Sequence, residues 1–537
     1  MARPGRTASR PRVAVRLALA VGVMLLLAAC GSTRSGVTGQ DTAATVTGPV
    51  TGTTPTTTTY RATVTTPAAV APMVRAGGDS DATALSTQES FLGIATELST
   101  VTTLSGTPSD PDTAFANLLS NLSVGAPVLL RLGGDSTDWD WWQVPGVKTP
   151  PAIQYTMTPA WGADVKSLLT ATGAKAMLGV NLELDNERVS AYEVQQYEKY
   201  LSPQLIYGFA LGNEPELYSV FSYYREANGT GVIGRPRATW DVGAYTKDFT
   251  SMSRAIPKGD VLIGPESGGP GFLSQLGPML AELPSRLALA TVHAYPLKHC
   301  SPSSHPTVSD FFEPASIQGL ADSIHTDVQA AAAHGKRLRV DEIGGITCGG
   351  YAGVSNSFAE ALWALNVLPE LWKAGVSGVN FQDVKHNLNQ VFTPVQSSSG
   401  AWNVSAQPEY YGLLAFADAA PAGSHLLKLT FPDYPSFYAY GVDAPNGTHT
   451  VVLTDVGSSA RTVGVTVAGG AGPGTVSLLT AASLTSTAQP TLGGETLSTA
   501  TGQLTGKSSY TLVRSNAKGV YEVRIPAHSA AILTVGS

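Results

Sequence analysis

Eight short apolar runs recur through the middle of this chain, each followed by polar or glycine residues and then by a helix-like stretch. The runs are Phe91–Ala95, Val128–Leu132, Ala176–Val180, Ile206–Leu211, Val261–Gly264, Leu289–His293, Leu338–Val340 and Val376–Phe381. Amphipathic helical patterns lie between them, among them Thr113–Leu122, Pro159–Thr172, Ala244–Ile256, Leu320–His334 and Ser357–Trp372. A strand apolar on both faces needs cover on both faces, so the alternation predicts a parallel sheet wrapped by helices. Eight units over about 290 residues match a (β/α)8 TIM barrel. A doubly wound sheet is the alternative, but no Gly-rich dinucleotide fingerprint follows the first run.

The texture changes after residue 406. Alternating runs at Phe437–Gly441, Thr450–Thr454, Thr462–Val467, Val520–Ile525 and Ala530–Val535 are separated by Gly, Pro and Asn. They predict a C-terminal antiparallel β-sandwich domain, to which residues 60–75 are a candidate extra strand. At the other end, Arg3, Arg6, Arg10, Arg12 and Arg16 precede an apolar run from Leu17 to Ala29. This is the pattern of an export signal, and Leu27-Ala28-Ala29-Cys30-Gly31 resembles the bacterial lipobox. That resemblance implies cleavage before Cys30 and its lipidation, leaving the protein on the outer face of the cell membrane. The expected division is therefore 1–29 signal peptide, 30–89 Thr/Ser-rich stalk, 90–405 barrel and 406–537 sandwich. Charged residues are only 14% of the chain and the net charge is −7. A nucleic-acid partner needs a basic surface and is not expected; contact with a membrane is expected only through the lipid.

Barrel enzymes place their chemistry at the C-terminal ends of the strands. The first run ends near Glu97, the second in Arg131-Leu132-Gly133-Gly134-Asp135, the third in Asn181-Leu182-Glu183 and the fourth in Gly212-Asn213-Glu214-Pro215. The sixth ends in His293-Ala294-Tyr295-Pro296, the seventh in Asp341-Glu342 and the eighth in Gln382-Asp383. Glycoside hydrolysis with retention needs two carboxyl groups about 5–5.5 Å apart, one acid/base and one nucleophile. Glu214 and Glu342 are 342 − 214 = 128 residues apart, yet strands four and seven face each other across a barrel mouth.

These residues carry a resemblance. Gly212-Asn213-Glu214-Pro215 resembles the acid/base motif of retaining glycosidases whose carboxylates sit on barrel strands four and seven. Arg131-Leu132-Gly133-Gly134-Asp135-Ser136-Thr137-Asp138 and Glu342-Ile343-Gly344…Cys348-Gly349-Gly350 resemble the β-glucuronidase/heparanase family, glycoside hydrolase family 79, over roughly residues 90–537. The resemblance implies a glucuronide or glucuronic-acid-containing glycan as substrate, with Glu214 as acid/base and Glu342 as nucleophile. It implies that Asn213 binds the sugar 2-hydroxyl, that Tyr295 and Arg131 hold Glu342, and that Glu97 and Asp135 bind the sugar. The amides of Gly349, Gly350 and Tyr351 would receive the uronate carboxylate. The strand-eight end around Lys385 and His386 follows no pattern that aligns, and a retaining β-glycosidase for a neutral sugar stays open.

Cys300 and Cys348 follow adjacent strands, and an oxidising location favours their disulfide. Of Trp139, Trp141 and Trp142, two are expected to pack the loop and one to line the site. No His/Cys/Asp cluster has zinc spacing, so neither a metal nor a cofactor is expected. A sugar-binding lipoprotein of a transport system is the competing class; it has two hinged lobes and no need of opposed carboxylates.

Overall fold

The computed structural model describes residues 72–536, apart from 386, 397–401 and 433. The expected export signal, Cys30 and Tyr60–Val64 lie outside the described residues, as does His386. No helix of the described residues is long and apolar enough to cross a membrane.

All eight expected runs are strands of one closed parallel barrel: β1 (Leu92–Glu97), β2 (Leu129–Gly133), β3 (Lys175–Val180), β4 (Ile206–Leu211), β5 (Leu262–Ser267), β6 (Leu287–Ala294), β7 (Arg337–Ile343) and β8 (Val379–Asp383). Neighbours pair in chain order, and β8 pairs with β1 to close the ring. The strand residues are buried almost throughout because the barrel interior lies on one face and the helices on the other. Leu129, Met177, Ala210, Ile263 and Leu289 fill one interior layer. Arg339 crosses the interior, donating to Asn380 Oδ1 at 2.6 Å and to the Val379 carbonyl at 3.1 Å. A Cβ at Gly378 would sit on that guanidinium, so this position requires glycine.

Helix Phe358–Lys373 is buried on nearly every side. It packs on helix Pro408–Ala419, itself almost wholly buried. The second helix lies beyond residue 406, where only sandwich was expected; the sandwich strands begin at His425. A helix apolar all round carries no 3.6-residue stripe to read, which is why the boundary was drawn before it.

The C-terminal region supplies eleven strands of a 12-stranded, predominantly antiparallel sheet system. Val451, Val463, Val465, Val523 and Leu533 form its core. All five expected runs are strands; His425–Thr430 and Ala471–Thr480 are further strands not expected from the sequence. Ala471–Thr480 opens Ala-Gly-Pro-Gly, which hides the alternation of its second half. Pro72–Asp79 also belongs to the sheet, antiparallel to His425–Thr430 and parallel to Arg461–Val467. The fold is thus a TIM barrel with a β-sandwich domain.

Candidate active site

The C-terminal mouth of the barrel holds a cavity of about 460 Å³. Glu97, Asp135, Asn213, Glu214, Tyr295, Glu342 and Gly349 line it, together with Trp139, Glu183, Phe221 and the amides Gln382, Asn387 and Asn389. Glu214 follows β4 in a left-handed conformation (φ 44°, ψ 58°). Such backbone costs roughly 1–3 kcal/mol in a non-glycine residue and needs external support. Support comes from its own N–H, which donates to the Glu266 carbonyl at 2.8 Å. It also comes from Asp138, which accepts the Asn213 N–H at 3.1 Å, the Tyr218 hydroxyl at 2.7 Å and the Leu182 and Glu183 N–H groups at 2.9 Å each.

Glu342 ends β7. Its Oε2 accepts from Arg131 at 2.7 Å and its Oε1 from the Tyr295 hydroxyl at 2.8 Å. Burial pushes this carboxyl up, but the charges of His293 and Arg131 and the Tyr295 hydrogen bond outweigh it and hold the group below its ordinary value. Arg131 also donates to Asn213 Oδ1 at 2.7 Å, fixing the amide beside Glu214. His293 lies 3.1 Å from Glu214 Oε1. One ligand atom each of Glu214, His293 and Glu342 lies within 4.8 Å of the others, and both carboxyl groups line the same cavity.

Glu97 is fixed by the Ser136 N–H at 2.7 Å. Gly134 passes so close that a Cβ there would collide with the Glu97 carboxylate. Burial, reinforced by Asp135, pushes Glu97 up to about 8; burial, reinforced by Asp138, pushes Glu183 up to about 9. Burial thus favours the protonated form of both.

The implied carboxylate loop is only partly at the cavity. Gly349 lines it, whereas Gly350 and Tyr351 are not among the lining residues. The Tyr351 amide already donates to Ser355 Oγ at 2.8 Å, and its ring lies 4.5 Å from the His299 ring. Lys385 does not line the cavity either; Gln382, Asn387 and Asn389 represent that region. Trp139 lines the cavity while Trp141 and Trp142 are buried.

Cys300 and Cys348 are disulfide-bonded, closing a separation of 48 residues. The chain-entropy model gives about 4 kcal/mol for such a loop. We expect reductant to lower the melting temperature of the native chain and to leave that of a Cys300→Ser/Cys348→Ser variant unchanged. Equal melting with and without reductant in the native chain would show that the bridge contributes nothing.

Glu266 was missed. The fifth apolar run ends at Gly264, but β5 continues through Pro265, Glu266 and Ser267. An acidic residue just past an apolar run was the available signal. Glu214–His293–Glu342 and Glu266–His293–Asp341 each bring three potential metal ligands together. The cation between them is already supplied: Arg131 bonds Glu266 and Glu342 at 2.7 Å each. Burial opposes a charge on His293, yet the surrounding carboxylates, Glu342 foremost, raise it well above its ordinary value.

No family model and no curated protein matches the sequence. Solved structures do. A 4-O-α-L-rhamnosyl-β-D-glucuronidase from Fusarium oxysporum 12S superposes with a TM-score of 0.63 at 17% identity, over 86% of this chain and 99% of that one. A GH51 arabinofuranosidase from Xanthomonas axonopodis pv. citri gives 0.60 at 16% identity, over 86% and 99%. A thermostable GH51 α-L-arabinofuranosidase from Thermotoga petrophila RKU-1 gives 0.60 at 15% identity, over 87% and 100%. At these identities the likeness is one of fold.

Proposed function

We propose that the chain is a retaining β-glycoside hydrolase with Glu342 as nucleophile and Glu214 as acid/base. The observation that carries this reading is the approach of the two carboxyl groups, with an oxygen of each inside 4.8 Å. An inverting pair stands about 6.5–9.5 Å apart to admit a water, whereas a retaining pair stands about 5–5.5 Å apart. The surroundings of Glu342 fit its role. Arg131, His293 and Tyr295 favour ionised Glu342, as a nucleophile requires.

In the first step a Glu342 oxygen bonds to the anomeric carbon while Glu214 gives its proton to the departing glycosidic oxygen, releasing the aglycone as an alcohol. In the second, Glu214 takes a proton from water, the water oxygen attacks the same carbon, and the ester to Glu342 breaks. Asn213, fixed by Arg131, reaches the 2-hydroxyl. Phe221, which lines the mouth and is 64% exposed, offers the aglycone an apolar face.

For the sugar, the family resemblance favours β-linked glucuronic acid, and Gly349 supplies the one lining position of the implied carboxylate loop. A neutral sugar is the second reading. It is favoured by a wall that carries Glu97, Asp135, Asp138, Glu183, Glu214 and Glu342 but no Lys or Arg among its described lining residues. The two readings differ in pH dependence. Below about pH 7, Glu97 and Glu183 are protonated and uncharged, so a uronate meets less repulsion. We expect the kcat/KM ratio of p-nitrophenyl β-D-glucuronide to the matching glucoside to exceed one at acid pH. It should fall roughly tenfold or more as the pH rises through these two ionisations. A glucoside preferred at every pH would establish the neutral reading, and release from no aryl β-glycoside would refute the enzyme itself.

A further inference from the structure

Beneath the catalytic pair lies a second pair of acids, and the reading above gives it no task. Glu266 and Asp341 are 1% and 0% exposed. An oxygen of each and a nitrogen of His293 lie within 4.8 Å of one another. Their surroundings are unequal. Glu266 Oε2 accepts from Arg131 NH2 at 2.7 Å and from Arg131 Nε at 3.2 Å, and its Oε1 accepts from the Thr291 hydroxyl at 3.1 Å. Among the described residues, none donates a hydrogen bond to either oxygen of Asp341. The groups facing Asp341 are Arg131 from β2 (3.8 Å), Glu266 from β5 and His293 from β6 (3.7 Å), with Glu342 and Arg339 on its own strand.

Two adjacent carboxyl groups in a dry interior do not both ionise. The one furnished with donors keeps the charge, and the one without donors keeps the proton. We propose that Glu266 and Asp341 share one proton, held on Asp341 and directed at Glu266, and that this pair positions Arg131 against Glu342. The cluster is then electrically even: Arg131 and His293 face ionised Glu266 and Glu342. Glu266 serves both catalytic residues, because its carboxylate holds Arg131 and its carbonyl holds the Glu214 N–H. Burial and the Glu266 charge raise Asp341, and Arg131 and Asp341 overcome burial to lower Glu266, in keeping with this division. The positioning role rests on the retaining reading; the location of the proton does not.

Isosteric amides separate the two acids. Asp341→Asn replaces a neutral donor with a neutral donor, whereas Glu266→Gln removes a charge. A carboxyl raised by folding loses stabilising weight as pH rises above its unfolded value, so the native chain carries that loss and Asp341→Asn does not. The melting temperature of Asp341→Asn relative to the native chain should therefore climb between about pH 5 and pH 8. That of Glu266→Gln should be lower throughout. In activity, Asp341→Asn should leave the acid limb of the pH profile in place, while Glu266→Gln should reduce kcat/KM roughly a hundredfold. The proposal is overturned if Asp341→Asn does not fold, melts below the native chain at the higher pH, or shows no pH trend. Loss of activity in the native chain on every glycoside would defeat the retaining reading and leave the melting comparison intact.

Discussion

Glu342→Gln is expected to reduce turnover by roughly 10⁶-fold, the scale seen when a covalent nucleophile is removed. The amide retains the shape and still accepts from the Tyr295 hydroxyl, so circular dichroism should match the native chain. It cannot form the glycosyl ester, and the loss should be the same for every leaving group. Glu214→Ala should behave differently. It should cost about 10²–10⁴-fold on alkyl glycosides, whose leaving oxygen needs the proton. The first step with a p-nitrophenyl leaving group should be spared, because that phenolate departs without protonation. Equal losses of Glu214→Ala on both classes would contradict its assignment as the acid.

Arg131→Met should be the most damaging single change to stability around the site. Arg131 is 2% exposed and bonds Glu266, Glu342 and Asn213. Removing one partner of a buried ion pair leaves uncompensated charge and costs about 3–5 kcal/mol. Some of that strain is relieved by protonation: without the guanidinium, Glu342 loses a main cause of its lowered value, so it should ionise at higher pH. Thermal melting should fall, and the acid limb of kcat/KM should move upward. An unshifted limb together with native melting would show that Arg131 holds neither carboxylate.

The parts of this protein that could be read from its sequence are those where one residue type meets one local rule. Apolar runs in a parallel sheet announce themselves because both faces are buried, and all eight were found within a few residues. Glu214 and Glu342 were visible because strand ends are where a barrel aims its side chains. Helix Pro408–Ala419 was not, since burial all round erases its periodicity. Glu266 was obscured by Pro265, which reads as a break yet lies inside β5. The loop after Glu342 shows another limit. Gly349, Gly350 and Tyr351 are consecutive, but only the first lines the cavity, and the Tyr351 amide is already taken by Ser355. Sequence spacing does not say which of several adjacent amides is already used.

The central claim is that Glu342 forms a covalent bond to the sugar. It is tested most directly by incubating the protein with activated 2-deoxy-2-fluoro β-glycosides, glucuronyl and glucosyl, and mapping the labelled peptide by mass spectrometry. Fluorine at C2 slows breakdown of the ester more than the activated leaving group slows its formation, so the intermediate accumulates. One added glycosyl group per chain is expected, located on Glu342. A label on another carboxylate, or hydrolysis of aryl glycosides that proceeds with inversion at the anomeric carbon, would contradict it.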